Sequence, residues 1–222
     1  MPLHQKLTAV GAFLPATLSE EQLAILRVAE GRLRADPRFA SLGLVGTDVR
    51  DLALETPDGA GFTLGERQAR GGHRPAILHF FQGAWSPFCR ADLEQWATVA
   101  PYARALGVTV LLASPQSGRR SAETARRLPL ELEVACDPGC TAAARLGLSF
   151  LPPPTVRVVF EQLRHPLTNW NAQGAWSLPL PATLVVGADG TVVAAHAVPD
   201  CRRRMEPMDA LQAAAGLMRE SA

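Results

Sequence analysis

Short apolar runs alternate along the chain with stretches in which apolar residues recur at helical spacing, the pattern of buried strands separated by amphipathic helices. Ser19-Glu20-Glu21-Gln22 is a capping box, in which the serine and glutamine side chains each satisfy a backbone N–H that a first helical turn leaves unpaired. Leu23, Ile25, Leu26, Val28 and Leu33 give that helix an apolar face to about Ala35, where Asp36-Pro37 stops it. Val49 to Thr63 predicts a weak hairpin, with Leu52-Ala53-Leu54 and Gly61-Phe62-Thr63-Leu64 about the turn Pro57-Asp58-Gly59.

Ala76 to Phe81 suits a buried strand ended by Gln82-Gly83, and Leu93, Trp96, Val99 and Ala103 predict a helix from Pro87 to about Leu106. Val108 to Ala113 repeats the strand pattern, so a β-α-β crossover with parallel strands is the natural assembly. A helix over about Ser121 to Leu128, a short strand from Leu132 to Ala135, the turn Asp137-Pro138-Gly139 and a small helix over Thr141 to Leu146 follow. The rhythm breaks from Phe150 to Leu180, where Pro152-Pro153-Pro154, a helical stretch through Phe160 to Leu163 and the polar Asn169-Trp170-Asn171 suggest a partly ordered cover. Thr183 to Val186 and Thr191 to Ala195, joined at Ala188-Asp189-Gly190, predict a clear β-hairpin, and Glu206-Pro207 leads into a closing helix. The expected organisation is an N-terminal helical extension over 1–45 and an α/β domain over 46–222 with an insertion at about 150–178.

At 222 residues the chain is long enough for a full hydrophobic core. With 47% hydrophobic residues, 19% charged residues and a formal charge of +1, it carries neither a disorder signature nor a strongly basic nucleic-acid surface. Arg119-Arg120, Arg126-Arg127 and Arg202-Arg203-Arg204 have acidic neighbours and read as solvated surface, so no nucleic-acid partner is expected. The apolar run at Met1 to Lys6 is too short for a secretory signal, and no segment approaches the roughly 20 apolar residues of a membrane span. Four cysteines make no dense disulfide framework, and together these features point to a cytoplasmic protein with no membrane partner.

Ser86-Pro87 has the local logic of a helix start, with serine as N-cap and proline at a first position that needs no donor. It also follows a buried strand and a glycine, which sets residue 86 at the carboxyl end of a sheet on a helix N-terminus, where anionic groups are stabilised. A thiol there is activated by the same dipole, and Cys89 falls within the first turn.

The segment Phe80-Phe81-Gln82-Gly83-Ala84-Trp85-Ser86-Pro87-Phe88-Cys89 resembles the Trp-Cys-Pro-x-Cys region of the AhpC/TSA peroxiredoxin-like family, with Ser86 in the place of the first cysteine. Ala113-Ser114-Pro115-Gln116, Asp137-Pro138-Gly139, Leu178 to Thr183 and Asp200 to Pro207 continue the resemblance in the family's order, over about 46–215. It implies a thioredoxin-like mixed β-sheet flanked by helices, a thiol-dependent and peroxide-reducing activity, and no cofactor or metal. It also implies a peroxide or disulfide substrate, an external thiol or thioredoxin-type reductant, and a homodimer. By the same resemblance Pro181 looks like the cis-proline that faces the redox motif, while Trp85, Pro87 and Pro181 would line the substrate and Trp85 would shield the reactive position.

Peroxiredoxins proper use Pro-x-x-x-Thr-x-x-Cys with an arginine. Counting back from residue 86 finds His79 and Gly83 where the proline and threonine belong, whereas counting from Cys89 finds Gln82 and Ser86. Two catalytic readings follow. In the first, position 86 is the nucleophile and Cys89 resolves it, with Ser86 an engineered substitution, a stand-in for selenocysteine or a natural divergence. In the second, Cys89 is the peroxidatic thiol and Ser86 a hydroxyl donor; an alcohol with no base nearby is a poor nucleophile at neutral pH. A catalytically silent binding module around Trp85 and Pro181 is the alternative of a different class.

Cys136 and Cys140 bracket a turn and read as packed thiols, with an accessory disulfide as the alternative. Scattered histidines and the lack of a second ligand pair argue against zinc. Cys201 reads as packing, its alternative being a distant resolving thiol for Cys89. His79, inside an apolar strand, reads as a hydrogen-bonded core histidine, and His196 likewise; Trp96, Trp170 and Trp176 read as packing.

Overall fold

The computed structural model describes residues 1–129 and 132–220. In chain order the elements are α1 (Leu3–Phe13), α2 (Glu20–Ala35), β1 (Ala53–Glu55), β2 (Gly61–Thr63), α3 (Leu64–Arg70), β3 (Ala76–Phe80), α4 (Pro87–Leu106) and β4 (Thr109–Ser114). They continue with α5 (Gly118–Ala125), β5 (Leu132–Cys136), α6 (Thr141–Arg145), β6 (Ser149–Phe150), α7 (Pro154–Gln162), β7 (Leu178–Pro179), β8 (Ala182–Val186), β9 (Val192–Ala197) and α8 (Pro207–Glu220).

Seven strands form one mixed sheet in the order β2-β1-β5-β4-β3-β8-β9. β3, β4 and β5 run parallel, and β8 and β9 return antiparallel at the other edge. This is the thioredoxin-like arrangement, with the β-α-β half supplied by β3, α4 and β4. β3 is buried along its whole length because helices cover both faces, which explains its continuous apolar run rather than an alternating one. Its alternate side chains serve two cores. Leu78 and Phe80 pack with Leu54, Leu64, Ala143 and Leu148 on one face; Ile77 and Phe81 pack with Cys89, Trp96 and Leu211 on the other, where α4 and α8 lie.

Local signals set most boundaries. Ser19 and Gln22 form both bonds of the capping box that starts α2. Ser86 caps α4, Pro87 opens it, and Gly107 ends it in the left-handed conformation. α3, which Thr63 and Glu66 start with a second capping box, is an element the sequence pattern did not predict, and α5 and the insertion also depart from it. α5 lies about three residues nearer the N-terminus than expected, because Gly118 packs against the β1–β2 turn so closely that a Cβ would come within 2.2 Å of the Pro57 carbonyl oxygen. The cover expected to be partly ordered contains α7, two 3₁₀ turns and β7, which pairs with β6.

α1 is an additional element ahead of the capping box. Its Leu3, Leu7 and Val10 recur on one face and pack on Phe88 and Ala91 of α4. Leu3 and Leu7 are completely buried, each worth roughly 1.5–3 kcal/mol relative to exposure. No helix among the described residues is long and apolar enough to cross a membrane.

Candidate active site

The loop from Phe81 to Ser86 leaves the carboxyl end of β3 and is held by named polar contacts. The Ala84 amide donates to Gln116 Oε1 at 2.8 Å, and Gln116 Nε2 in turn donates to Thr124 Oγ1 at 3.2 Å. Arg90, one turn into α4, donates to the Ala84 and Trp85 carbonyls at 3.1 and 2.9 Å. Gly83 has φ +144°, and a Cβ there would sit 2.5 Å from Cδ1 and Nε1 of Trp85, so glycine is required for the indole to fold over the loop. Trp85 donates its indole N–H to the Gln82 carbonyl at 3.2 Å and meets Phe160 of α7 edge-on at 5.1 Å between centroids. The insertion therefore packs directly on the loop between β3 and α4.

Ser86 is 4% exposed, and its Oγ accepts the Cys89 N–H at 3.5 Å, the act of an N-cap. Pro87 occupies the first helical position. Cys89 is completely buried on the inner face of α4. One turn further along the same face, Asp92 is also buried, three residues on and so a neighbour of Cys89.

Arg204, from the loop between β9 and α8, reaches into this pocket. Its Nη2 donates to Cys89 Sγ at 3.6 Å and its Nη1 forms an ion pair with Asp92 Oδ2, the Arg204 and Asp92 side chains being 2% and 1% exposed. Behind them, His79 of β3 places Nε2 at 3.0 Å from the same Asp92 oxygen and Nδ1 at 3.0 Å from Thr183 Oγ1 of β8. Burial raises the cost of charge on Asp92, but His79 and Arg204 outweigh it and hold the carboxyl below its ordinary pKa. Burial likewise opposes the Arg204 charge, and Asp92 and Cys89 outweigh it, so the guanidinium is held above its ordinary value. A thiol, a guanidinium, a carboxylate and an imidazole thus form one dry cluster.

The sequence-derived residues divide accordingly. Ser86 and Cys89 share the first turn of α4. Trp85 precedes Ser86, and Pro87 lies between Ser86 and Cys89. Pro181 precedes β8, whose register pairs Ala182 with Phe80, so it sits beside the point where the loop leaves β3. The cis assignment expected for Pro181 is corrected: no peptide bond among the described residues is cis. The preceding Leu180 is tied by its amide to the Leu148 carbonyl at 2.7 Å, and the chain enters β8 in extended trans geometry.

The sequence places Arg204 with Arg202 and Arg203 on solvated surface; its side chain is instead buried, because Asp92 balances its charge. Asp92 carried no signal of its own beyond being a charged residue on the apolar face of a predicted helix, next to Leu93 and one turn before Trp96. His79 is the hydrogen-bonded core histidine expected, now seen to back onto Asp92. Cys136 and Cys140 are free thiols, and burial pushes both above the ordinary thiol range. Trp96 lies in the core, and Arg120 stacks on Trp170 at 4.3 Å.

Comparison with known proteins accords with this geometry. The solved structures that the chain resembles include peroxidoxin BcpB from Mycobacterium tuberculosis, with a TM-score of 0.55 and 16% identity over 80% of this chain and 97% of the other. Peroxiredoxin Q of Xanthomonas campestris matches with a TM-score of 0.53 and 14% identity over 78% of this chain and 94% of its own. A cysteine-to-serine mutant of peroxiredoxin 6 from Arenicola marina gives 0.58 and 13% identity, covering 80% and 74% of the two chains. At such identities these likenesses establish the fold. No curated protein sequence matches the chain. The AhpC/TSA family model matches residues 45–195, well over half the chain, and with the thioredoxin-like sheet and the buried cysteine at its strand-to-helix turn it identifies the chain as a member of the AhpC/TSA family.

Proposed function

We propose that this chain is a thiol-dependent peroxide reductase in which Cys89 is the attacking thiol, Arg204 the cation beside it and Ser86 the hydroxyl at the helix cap. The observation that carries the reading is the Arg204 guanidinium lying 3.6 Å from Cys89 Sγ in a pocket closed to solvent. A cation in a low-dielectric site stabilises the negative charge that passes from sulfur to the departing oxygen, and it costs no reorganisation during the reaction. The Cys89 thiolate attacks one peroxide oxygen; the S–O bond forms as the O–O bond breaks. The leaving oxygen takes up a proton and departs as water or an alcohol, and Cys89 becomes a sulfenic acid. An external thiol, available in a reducing compartment such as the cytoplasm, returns it to the thiol.

Among the two catalytic readings this favours Cys89 over position 86, since the Ser86 oxygen is occupied as a helix cap and is an alcohol. Trp85, Pro87 and Pro181 surround the loop and serve as the substrate-facing wall. The complete burial of Cys89 supports a second reading, a silent binding module that retains the Trp85 surface.

Peroxide-driven oxidation of a dithiol, followed in the wild type and in Cys89→Ser, Ser86→Ala and Ser86→Cys, separates them. Cys89→Ser should abolish turnover and Ser86→Ala should leave part of it. Turnover in Cys89→Ser equal to wild type would remove Cys89 from the role. A wild-type protein inert to every hydroperoxide supplied, with Ser86→Cys inert as well, would favour the binding module.

A further inference from the structure

We propose that His79 is a positioning residue for the peroxide step, holding as an imidazolium the proton that Cys89 gives up; the inference rests on the reading of Cys89 as the attacking thiol. With Cys89 a thiol and His79 neutral, the Arg204 cation and the Asp92 carboxylate cancel. Ionising Cys89 alone leaves a net negative charge in a pocket where the His79 and Arg204 side chains are 2% exposed and Asp92 1%. A dry site penalises such a charge heavily. Moving the thiol proton to His79 restores a net charge of zero, with sulfur and carboxylate negative and guanidinium and imidazolium positive. Arg204 cannot take that proton, since a guanidinium has no free acceptor. Asp92 is a poor site for it, because His79 and Arg204 hold it ionised against the cost of burial. His79 is the remaining acceptor of the cluster.

The contacts fit a charged ring. Arg204 Nη1 and His79 Nε2 both meet one oxygen of Asp92, Oδ2, while Oδ1 has no hydrogen-bond partner among the described residues. Nε2 stands 3.0 Å from Oδ2 without an aligned hydrogen bond, so the attraction between them is chiefly one of charge. Across the ring, Nδ1 lies 3.0 Å from Thr183 Oγ1. A hydroxyl accepts from Nδ1–H of the imidazolium and donates to Nδ1 of the neutral ring, so the proton can come and go without moving either side chain. Around His79, α4 supplies Asp92 and Trp96, whose ring lies 5.3 Å from the imidazole, and the β9–α8 loop supplies Arg204. β4 supplies the register partner Leu112, β8 supplies Thr183, and α8 brings Ala210 and Leu211 to this face. His196 of β9 pairs with Thr183 one strand further out, and its Nε2 meets the Arg203 carbonyl. Asp92 is thus the anion in contact with His79, and Arg204 the cation that shares it.

Peroxide cleavage closes the proton count. The thiolate forms an S–O bond to the peroxide oxygen that keeps its hydrogen, and the O–O bond breaks. The leaving oxygen gains the proton that His79 held, so sulfur is oxidised to the sulfenic acid, peroxide is reduced, and the imidazole returns to neutral.

The test titrates thiolate ultraviolet absorbance against pH in the full chain, with Cys89→Ser as the blank, for the wild type, His79→Gln and His79→Phe. Both His79 variants should move the Cys89 midpoint to higher pH by about one unit or more, the effect of losing a nearby opposite charge. Hydrogen peroxide consumption near neutral pH should slow by about the matching tenfold. Glutamine keeps a side-chain amide beside Asp92, so it would rescue a merely structural histidine and should not rescue one that carries charge. Linkage is reciprocal: followed by the imidazole nitrogen resonances, His79 should lose its proton at lower pH in Cys89→Ser than in the wild type. That comparison leaves residue 79 intact and stands even where circular dichroism shows a His79 variant unfolded. A His79 that titrates alike in the wild type and Cys89→Ser, or a His79→Gln thiolate curve that overlays the wild type, overturns the inference; peroxide that still oxidises Cys89 then leaves the peroxidase reading standing. Coupled titrations in a protein whose Cys89 peroxide never oxidises overturn that reading, and with it the part of His79 in the reaction.

Discussion

Replacing Asp92 with alanine leaves the Arg204 guanidinium, 2% exposed, without the carboxylate that balances it, and removes the partner of His79 Nε2. Breaking one member of a buried ion pair costs about 3–5 kcal/mol, because the surviving charge remains dehydrated and unpaired. That is a large share of the 5–15 kcal/mol by which domains are usually stable. Urea unfolding followed by circular dichroism reads it directly. With a slope of about 3 kcal/mol per M, the midpoint should fall by roughly 1–2 M. The double variant Asp92→Ala/Arg204→Met should recover most of the loss, since removing both charges deletes the penalty along with the pair. A single-variant cost below about 1 kcal/mol, or no recovery in the double variant, would refute the buried cluster as the source of the effect.

The same carboxylate sets a pH dependence. Its native pKa is lowered, so its contribution is complete above the unfolded value of about 3.9 and is lost as pH falls through the lower native value; acid unfolding should therefore be shallower for Asp92→Asn than for wild type. Leu7→Asp should detach α1 from Phe88 and Ala91 and speed alkylation of Cys89 at least several-fold, and an unchanged rate would mean that α1 does not shield it. Gly83→Ala forces a side chain into φ +144° and against Trp85, and should destabilise the protein by about 1–3 kcal/mol with a shift in tryptophan emission.

Much of the active turn was legible from local chemistry. Ser86 and Pro87 marked the start of α4, Gly107 its end, and the unbroken apolar run of β3 announced a strand covered on both faces, so the position of Cys89 in a first helical turn followed without a structure. The hairpin of β8 and β9 was read from Asp189-Gly190 in the same way. These features depend on neighbours a few residues apart, and propensity, capping and turn geometry act over that range.

What surrounds the cysteine depends on contacts across the whole chain. Arg204 and Asp92 are separated by 112 positions, and each alone has the composition of a surface residue; only their pairing makes burial of either tolerable, and a pairing has no local signature. α1 has little signature in the sequence because its apolar face rests on two leucines and a valine, whose value appears only when Phe88 and Ala91 are there to receive them. The trans peptide at Pro181 has no signature in the residues around it, and α5 begins where Gly118 meets the Pro57 carbonyl, a contact made across the fold. Sequence alone determined the fold class and the turn that carries Cys89, because both are written in short-range patterns; tertiary structure decided which charges stand against that sulfur, because electrostatic partners are chosen by proximity in space.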